Sequence, residues 1–204
     1  GVHPLYDNFG KSKTKRKAIE SLGLDKNYRY MLFFGIIRKY KGLDTLLEAF
    51  ADNRLQDQNL KLIIAGEFYE DDKYYHDIIE KNKLKDVVIL ATKFIPDNQV
   101  VDYFCAADII VQPYKNATQS GVTQIAYHFE KPMLVTNVGG LAEIVPHNKV
   151  GYVTSQNPQD IADAILDFFQ QNKEAQFIKG VKQEKKKYSW DIMVSNIKKI
   201  HQEI

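Results

Sequence analysis

Short apolar runs alternate with longer amphipathic segments along almost the whole chain, and this alternation limits the possible folds more than any other feature. Six runs are too short for helices, are rich in Ile, Val, Leu and Phe, and end in Gly, Pro or polar residues, as buried strands do. They cover residues 30–35, 60–66, 87–90, 108–112, 132–136 and 151–153. Helical spacing of apolar residues separates them, most clearly over 158–169. The pattern predicts an α/β fold, a doubly wound parallel six-stranded sheet with helices on both faces.

The amino-acid composition and net charge give no indication of nucleic acid or a membrane as a binding partner. The 204 residues are 44% hydrophobic and 26% charged with a net charge of +2, so neither nucleic acid nor an anionic membrane is indicated as a general partner. The single cysteine, Cys105, excludes an intrachain disulfide, fits a reducing compartment and is expected in the core. The longest apolar run, 30–37, is too short to span a bilayer. The first residue is Gly and no signal peptide is visible, so we expect a processed or truncated chain.

The last 32 residues, from 173 onward, differ from the rest. Residues 173–187 are strongly charged and are predicted to form a solvated helix face. Ser189 is predicted to cap a final helix, whose buried side would carry Ile192, Ile197 and Ile200.

A doubly wound sheet binds ligands at the carboxyl ends of its strands, where the strand order reverses. With the common order 3-2-1-4-5-6, strands one and four are neighbours there, and the loops that follow them flank one crevice. The first loop contains Gly35, which lets backbone approach a ligand, and the cations Arg38, Lys39 and Lys41, which suit phosphate oxygens. A basic surface turn that binds nothing is the alternative interpretation.

The loop after strand four leads into a predicted helix that begins at about Ser120 or Gly121. Free backbone N–H groups at such a start, here those of Ser120, Gly121 and Val122, form an anion site that the helix dipole supports. An ordinary helix cap by Thr118 or Ser120, with no ligand, remains the alternative.

The loop after strand five contains a pair of glycines followed by an acid. Gly139 and Gly140 allow a tight bend near the same edge, and Glu143 falls in the first turn of a short helix. These residues are candidates for the same site, although a purely structural role explains them equally well.

Several segments, in order, resemble one family. They are FFGIIRKYKGLDTLLEAF, LKLIIAGE, FIPDNQVVDYFCAADIIVQPY, TQSGVTQIAYHFEKPMLVTNVGGLAEIV, VGYVT and YSWDIM. Together they resemble the C-terminal, donor-binding domain of a GT-B fold, group 1 or family 4 retaining glycosyltransferase. The resemblance implies a Rossmann-like domain over 14–188, preceded by an interdomain connector over 1–13 that includes HPLYDNFG. Residues 189–204 would form a C-terminal helix that packs toward a missing N-terminal domain.

The resemblance also implies roles for individual residues. The family's Lys of the K-G pair corresponds to Lys41, and Arg38 takes the place of an Arg that usually follows the strand-end glycine, where this chain has Ile36. Both would bind the donor diphosphate and stabilise its charge as it departs, which favours the ligand interpretation of the first loop. The amides of residues 120–122 would hold phosphate as well. The nucleotide base would lie against the loop after strand three, at Phe94, Ile95 and Pro96.

One family feature is missing. The usual pair of glutamates, separated by seven residues around the strand-four loop, would fall at Ala117 and Ile125, or with its first member at Thr118 in a second register. Neither register supplies a carboxylate. Thr118 and Gln119 are candidates to hydrogen-bond the donor sugar instead.

The implied activity is transfer of a sugar from a nucleoside diphosphate sugar to an acceptor hydroxyl, with retention of configuration. The carbohydrate or glycolipid acceptor would bind the missing domain, and the fragment would be inactive alone. No cofactor or metal is expected, because the five histidines are scattered. By analogy with the family we expect polysaccharide or glycolipid biosynthesis in the cytoplasm, with peripheral membrane contact of the full-length enzyme left open.

Three alternatives stay open. A nucleotide-sugar epimerase of similar architecture would need further carboxylates and histidines in the cleft. A non-catalytic nucleotide-binding or scaffold domain would fit the missing glutamate pair. A flavodoxin-like receiver domain is disfavoured, because its acidic pocket after strand one is replaced here by a basic loop.

Overall fold

The computed structural model describes residues 3–56 and 58–202, without the side chains of 196, 197 and 199–202. Its six strands form one sheet in the order β3-β2-β1-β4-β5-β6, and every pair is parallel. The strands are β1 Arg29–Phe34, β2 Leu60–Ala65, β3 Val88–Ala91, β4 Ile109–Gln112, β5 Met133–Thr136 and β6 Gly151–Thr154. The predicted fold class and strand order are therefore confirmed, and β1 and β4 are neighbours at the reversal point.

Helices fill the crossovers between strands, precede β1 and follow β6. They are α1 Lys15–Ser21, α2 Leu43–Phe50, α3 Asn53–Gln56, α4 Lys73–Lys81, α5 Asp97–Ala106, α6 Gly121–His128, α7 Leu141–Ile144, α8 Pro158–Gln170, α9 Glu174–Glu184 and α10 Trp190–Gln202. Two 3₁₀ turns, Lys39–Lys41 and Lys185–Tyr188, precede α2 and α10. None of the described helices is both long and apolar enough to cross a bilayer.

Each face of the sheet has its own core, because successive side chains of a strand point to opposite faces. In β1, Met31 and Phe33 join a cluster with α2, α4 and α8, whereas Tyr30 and Leu32 join one with α1, α5 and α6. Cys105 lies in the second cluster and is 2% exposed, as expected for a core residue.

The structure corrects some details of the sequence predictions. Most strand ends differ from the predicted ones by one residue, and the short helices α1 and α3 were not predicted. Residues 174–184 form α9, and the predicted solvated face is present, since Lys179, Lys182 and Lys186 are exposed, whereas the opposite side buries Phe177 in the first core and Val181 in the second. Ser189 does begin α10, since its Oγ accepts a hydrogen bond from the Ile192 N–H at 3.3 Å. The Ile192 side chain is nevertheless 42% exposed, and the predicted burial of Ile197 and Ile200 concerns side chains outside the described ones.

The segment before α1 packs along the domain. The Leu5 N–H donates to the Tyr188 carbonyl at 2.9 Å, which joins this segment to the chain just before α10. The Tyr6 ring lies against Gly121, so that a Cβ at position 121 would stand 2.8 Å from Tyr6 Cε2. The aromatic ring of Tyr6 therefore covers one side of the first turn of α6.

Candidate functional site

The loops after β1 and β4 are in direct contact at the carboxyl edge of the sheet. Gly42, between the 3₁₀ turn and α2, has φ +69°, and a Cβ there would stand 1.9 Å from the Pro113 carbonyl oxygen. The Lys115 N–H donates to the Tyr40 carbonyl at 2.7 Å, and Lys115 Nζ pairs with Asp44 at 2.5 Å. Only glycine fits both the left-handed backbone and the close approach at position 42.

Lys41 is the most unusual residue of this edge. Its side chain is almost buried, with the residue only 8% exposed, and its Nζ lies 5.8 Å from the centre of the Tyr114 ring. Within residues 3–56 and 58–202, its ammonium forms no hydrogen bond or ion pair. Burial, followed by the neighbouring charge of Arg38, lowers the pKa of Lys41 from 10.5 to about 8. A nearly buried cation without a counter-charge is unfavourable by itself and is ready to receive an anion.

Lys41 and the first turn of α6 converge on Gly35, at the end of β1. The point at which a Cβ on Gly35 would stand lies 3.0 Å from Lys41 Nζ and 3.8 Å from Val122 Cγ2. The two loops therefore meet over a residue that has no side chain, as the strand order predicts.

The start of α6 has no side-chain cap. Ser120 occupies the cap position, but its hydroxyl forms a hydrogen bond with the Tyr114 hydroxyl at 3.2 Å instead of bonding a helix amide. Burial raises the pKa of Tyr114 to about 12, so this phenol stays neutral. The first amides of α6, at Gly121 and Val122, therefore keep the donor capacity that suits an anion.

Arg38 is half-buried beside the same loop. Its Cζ lies 4.0 Å from the centre of the Tyr69 ring, which follows β2. In the described part of the chain the guanidinium forms neither an ion pair nor a hydrogen bond, so the donors at its edge are free for a ligand.

The remaining predicted residues surround this centre at varying distances. The Gly140 N–H donates to the Thr118 carbonyl at 3.1 Å, and a Cβ on Gly139 would collide with the Ala117 carbonyl oxygen. This contact packs the β5 loop against the β4 loop, whereas Glu143 points to solvent from α7. Thr118 is exposed, and the Gln119 Oε1 accepts a hydrogen bond from the His3 N–H at 3.2 Å.

The loop predicted to contact a base lies at the same edge of the sheet. Phe94 is 69% exposed, Ile95 packs partly into the second core, and Pro96 precedes α5. Because β3 is two strands from β1, the carboxyl ends of these strands are about 10 Å apart.

The positions of the missing glutamate pair carry no charge. Ile125 is 5% exposed in the second core, and Ala117 packs partly against the same cluster. Gln124, immediately before Ile125, is 1% exposed, and neither atom of its amide hydrogen-bonds to a described residue.

Sequence reasoning missed Tyr114 and Tyr69. Tyr114 had a visible signal, since an aromatic residue directly follows Pro113 at the end of the strand beside the basic loop. Tyr69 had no signal of its own, because its contact with Arg38 depends on the pairing of β1 with β2.

No group of three or more His, Cys, Asp or Glu able to hold a metal ion occurs among the described residues.

The fold and this edge define a Rossmann-like domain with a basic loop and an uncapped helix start side by side at its topological switch point. A family model, that of the group 1 glycosyl transferases, matches residues 14–184, and the chain belongs to this family. An uncharacterized glycosyltransferase of Methanocaldococcus jannaschii is 30% identical over 188 residues, which cover 91% of this chain and 51% of that protein. The chain thus spans about half the length of this curated relative.

Solved structures share the fold of this chain. The C-terminal domain of a group 1 glycosyl transferase from Francisella tularensis, LpcC, superimposes with a TM-score of 0.78 at 18% identity, over 93% of this chain and 100% of that domain. Anabaena HepE in complex with UDP gives a TM-score of 0.83 at 19% identity, over 98% of this chain and 56% of that one. The chain therefore has the fold of the C-terminal half of a GT-B glycosyltransferase.

Proposed function

We propose that this domain binds the diphosphate of a nucleoside diphosphate sugar between Arg38, Lys41 and the first amides of α6. The observation that carries the proposal is the nearly buried Lys41 ammonium, which has no counter-charge among the described residues and lies beside an uncapped helix start. A diphosphate would supply the missing negative charge to both. The UDP complex of HepE supports this choice of ligand by similarity of fold.

In the proposed reaction a sugar moves from the diphosphate to an acceptor hydroxyl with retained configuration. Negative charge grows on the diphosphate as the bond to the sugar breaks. Cations and amides already aimed at that charge stabilise the transition state more than the ground state, because they need no reorganisation when the bond breaks. Arg38 and Lys41 would be the catalytic residues in this sense. Gly35 would leave room for the phosphate to approach the backbone.

The donor would lie across the edge of the sheet. The base would contact residues 94–96, the diphosphate would lie over Gly35, and the sugar would reach Thr118, Gln119 and the Gly139–Gly140 bend. Glu143, which points to solvent, would at most contact an outer sugar hydroxyl.

The acceptor would bind a domain that this chain does not contain, because the chain spans about half of its curated relative. We therefore propose that the 204-residue chain binds the nucleotide but does not transfer the sugar. Residues 1–13 would be the connector to the acceptor domain, and α10, with Trp190 and Val194 exposed, would pack toward that domain. Cytoplasmic location and peripheral membrane contact belong to the same proposal for the full-length protein.

Isothermal calorimetry of the 204-residue chain with UDP, GDP and ADP tests the donor site and identifies the base. We expect one nucleotide to bind, and we expect the Arg38→Ala, Lys41→Ala double variant to bind it about tenfold or more weakly, since charge-assisted hydrogen bonds are lost. The matched control is Lys39→Ala, in the same loop, whose exposed ammonium pairs with Glu70 at 3.1 Å. Equal binding by the double variant would remove the assignment.

A second candidate is a nucleotide-binding domain without transferase activity. The observation that favours it is the placement of Ile125 in the core, where the family has an acid. A sugar-transfer assay on the full-length gene product separates the two functions, since both predict nucleotide binding but only one predicts turnover.

A further inference from the structure

The register of β1 and β2 continues beyond the strands. Within the ladder each β1 residue pairs with the β2 residue 31 positions later, from Arg29 with Leu60 to Phe34 with Ala65. After both strands end, an isolated parallel bridge pairs Ile37 with Phe68, at the same offset. Two hydrogen bonds support the bridge, from the Ile37 N–H to the Glu67 carbonyl at 2.8 Å and from the Tyr69 N–H to the Ile37 carbonyl at 3.0 Å.

This continued register determines which side chains meet across the two loops. Residues one step beyond a parallel pair lie side by side on the same face. Arg38 therefore meets Tyr69, with the guanidinium carbon 4.0 Å from the ring centre, and Lys39 meets Glu70 at 3.1 Å. Two adjacent cations thus have different partners: Arg38 contacts an aromatic ring, and Lys39 pairs with a carboxylate.

The two ways have different consequences for a ligand. The carboxylate of Glu70 neutralises the charge of Lys39, whereas the Tyr69 ring carries no charge and has the Arg38 guanidinium carbon over it, 4.0 Å from the ring centre. The five N–H donors of a guanidinium lie in its plane, so a partner on the face leaves them available. Tyr69 is 65% exposed, so the protein core does not require its ring at this position.

We propose that Tyr69 is a positioning residue for the diphosphate: its ring holds the Arg38 guanidinium by the face and leaves the donors at the edge for phosphate oxygens. This inference rests on the proposed function of Arg38. It adds a residue from the loop after β2 to a site whose other residues lie in the loops after β1 and β4.

The test is a double-mutant cycle on nucleotide affinity in the 204-residue chain, measured by calorimetry with whichever of UDP, GDP and ADP binds most tightly. Tyr69→Leu is expected to weaken binding about threefold to fivefold, the range of an exposed cation–π contact. Tyr69→Phe retains the ring and is expected to bind like the wild type. In the Arg38→Ala background, Tyr69→Leu is expected to change the affinity little, because no guanidinium remains to be held. Unfolding midpoints of all variants should agree closely, since the ring is exposed.

Each contrary result has one meaning. If Tyr69→Leu weakens binding equally with and without Arg38, the ring touches the nucleotide itself and the positioning role is wrong. If Arg38→Ala weakens binding but Tyr69→Leu does not, the inference fails and the proposed function stands. If none of the three nucleotides binds the wild type, the proposed function fails and the positioning role fails with it.

Discussion

The Lys41→Met substitution is expected to stabilise the free protein while weakening its binding of nucleotide. A pKa of about 8 in place of 10.5 corresponds to a penalty of about 3 kcal/mol for the charged form in the folded state. Methionine keeps most of the apolar stem and removes the charge. Because the contact with Tyr114 is also lost, we expect the free energy of unfolding at about pH 7 to rise by about 2 to 3 kcal/mol.

The pH dependence gives the prediction a second part. Below about pH 8 the Lys41 ammonium is charged in both the folded and the unfolded chain, so the wild type carries the full penalty. Between pH 8 and 10.5 the folded protein binds fewer protons than the unfolded chain, so the wild type gains stability relative to the variant. The advantage of Lys41→Met should therefore shrink as the pH rises through this window.

Urea denaturation of the 204-residue chain, followed by circular dichroism at several pH values, measures both parts. The control is Lys39→Met, which alters an exposed, ion-paired lysine two residues away and should change stability by about 0.5 kcal/mol or less. An unchanged or lower unfolding free energy for Lys41→Met at neutral pH would refute the idea that this cation is held in the fold at a cost.

Three further predictions follow from the same structure. Nucleotide affinity, measured by calorimetry, should fall as the pH rises above about 8, because the Lys41 ammonium loses its proton, and this decline should be absent in Lys41→Met. Gly42→Ala should lower the urea midpoint much more than Gly23→Ala. Both glycines have a positive φ, in which an alanine costs about 1 to 2 kcal/mol. At position 42 the new Cβ would also collide with backbone, whereas nothing lies within 4 Å of a Cβ at position 23. Asp108→Ala should destabilise the fold by about 2 kcal/mol in the same assay, because the buried Tyr30 N–H, now 2.7 Å from Asp108 Oδ2, would lose its acceptor.

The sheet was predictable because its signals are local. A buried parallel strand is a short run of apolar residues, so β1 and β2 stand out from the charged segments around them. The strand order then followed from the commonest doubly wound topology, and with it came the meeting of the first and fourth loops. The tail had a local signal as well, since Phe177 and Val181 are spaced by four, but the many lysines around them obscured it.

The contacts inside the site were less predictable because they depend on several segments at once. Lys41 looked like a surface cation, and its burial results from the Tyr114 ring and the close approach of Gly42 to Pro113. The contact between Arg38 and Tyr69 follows from strand register, which the sequence alone does not specify. Once the pairing of β1 with β2 is known, the constant offset of 31 residues leads directly to it.

The backbone of Gly121 has no positive φ, so conformational freedom does not account for this glycine. Its missing side chain instead makes room for an aromatic ring that lies 115 positions earlier in the chain. A methyl group at position 121 would force the ring of Tyr6 to shift. Residue size at the start of α6 is thus tied to the position of an aromatic side chain from the segment that precedes α1.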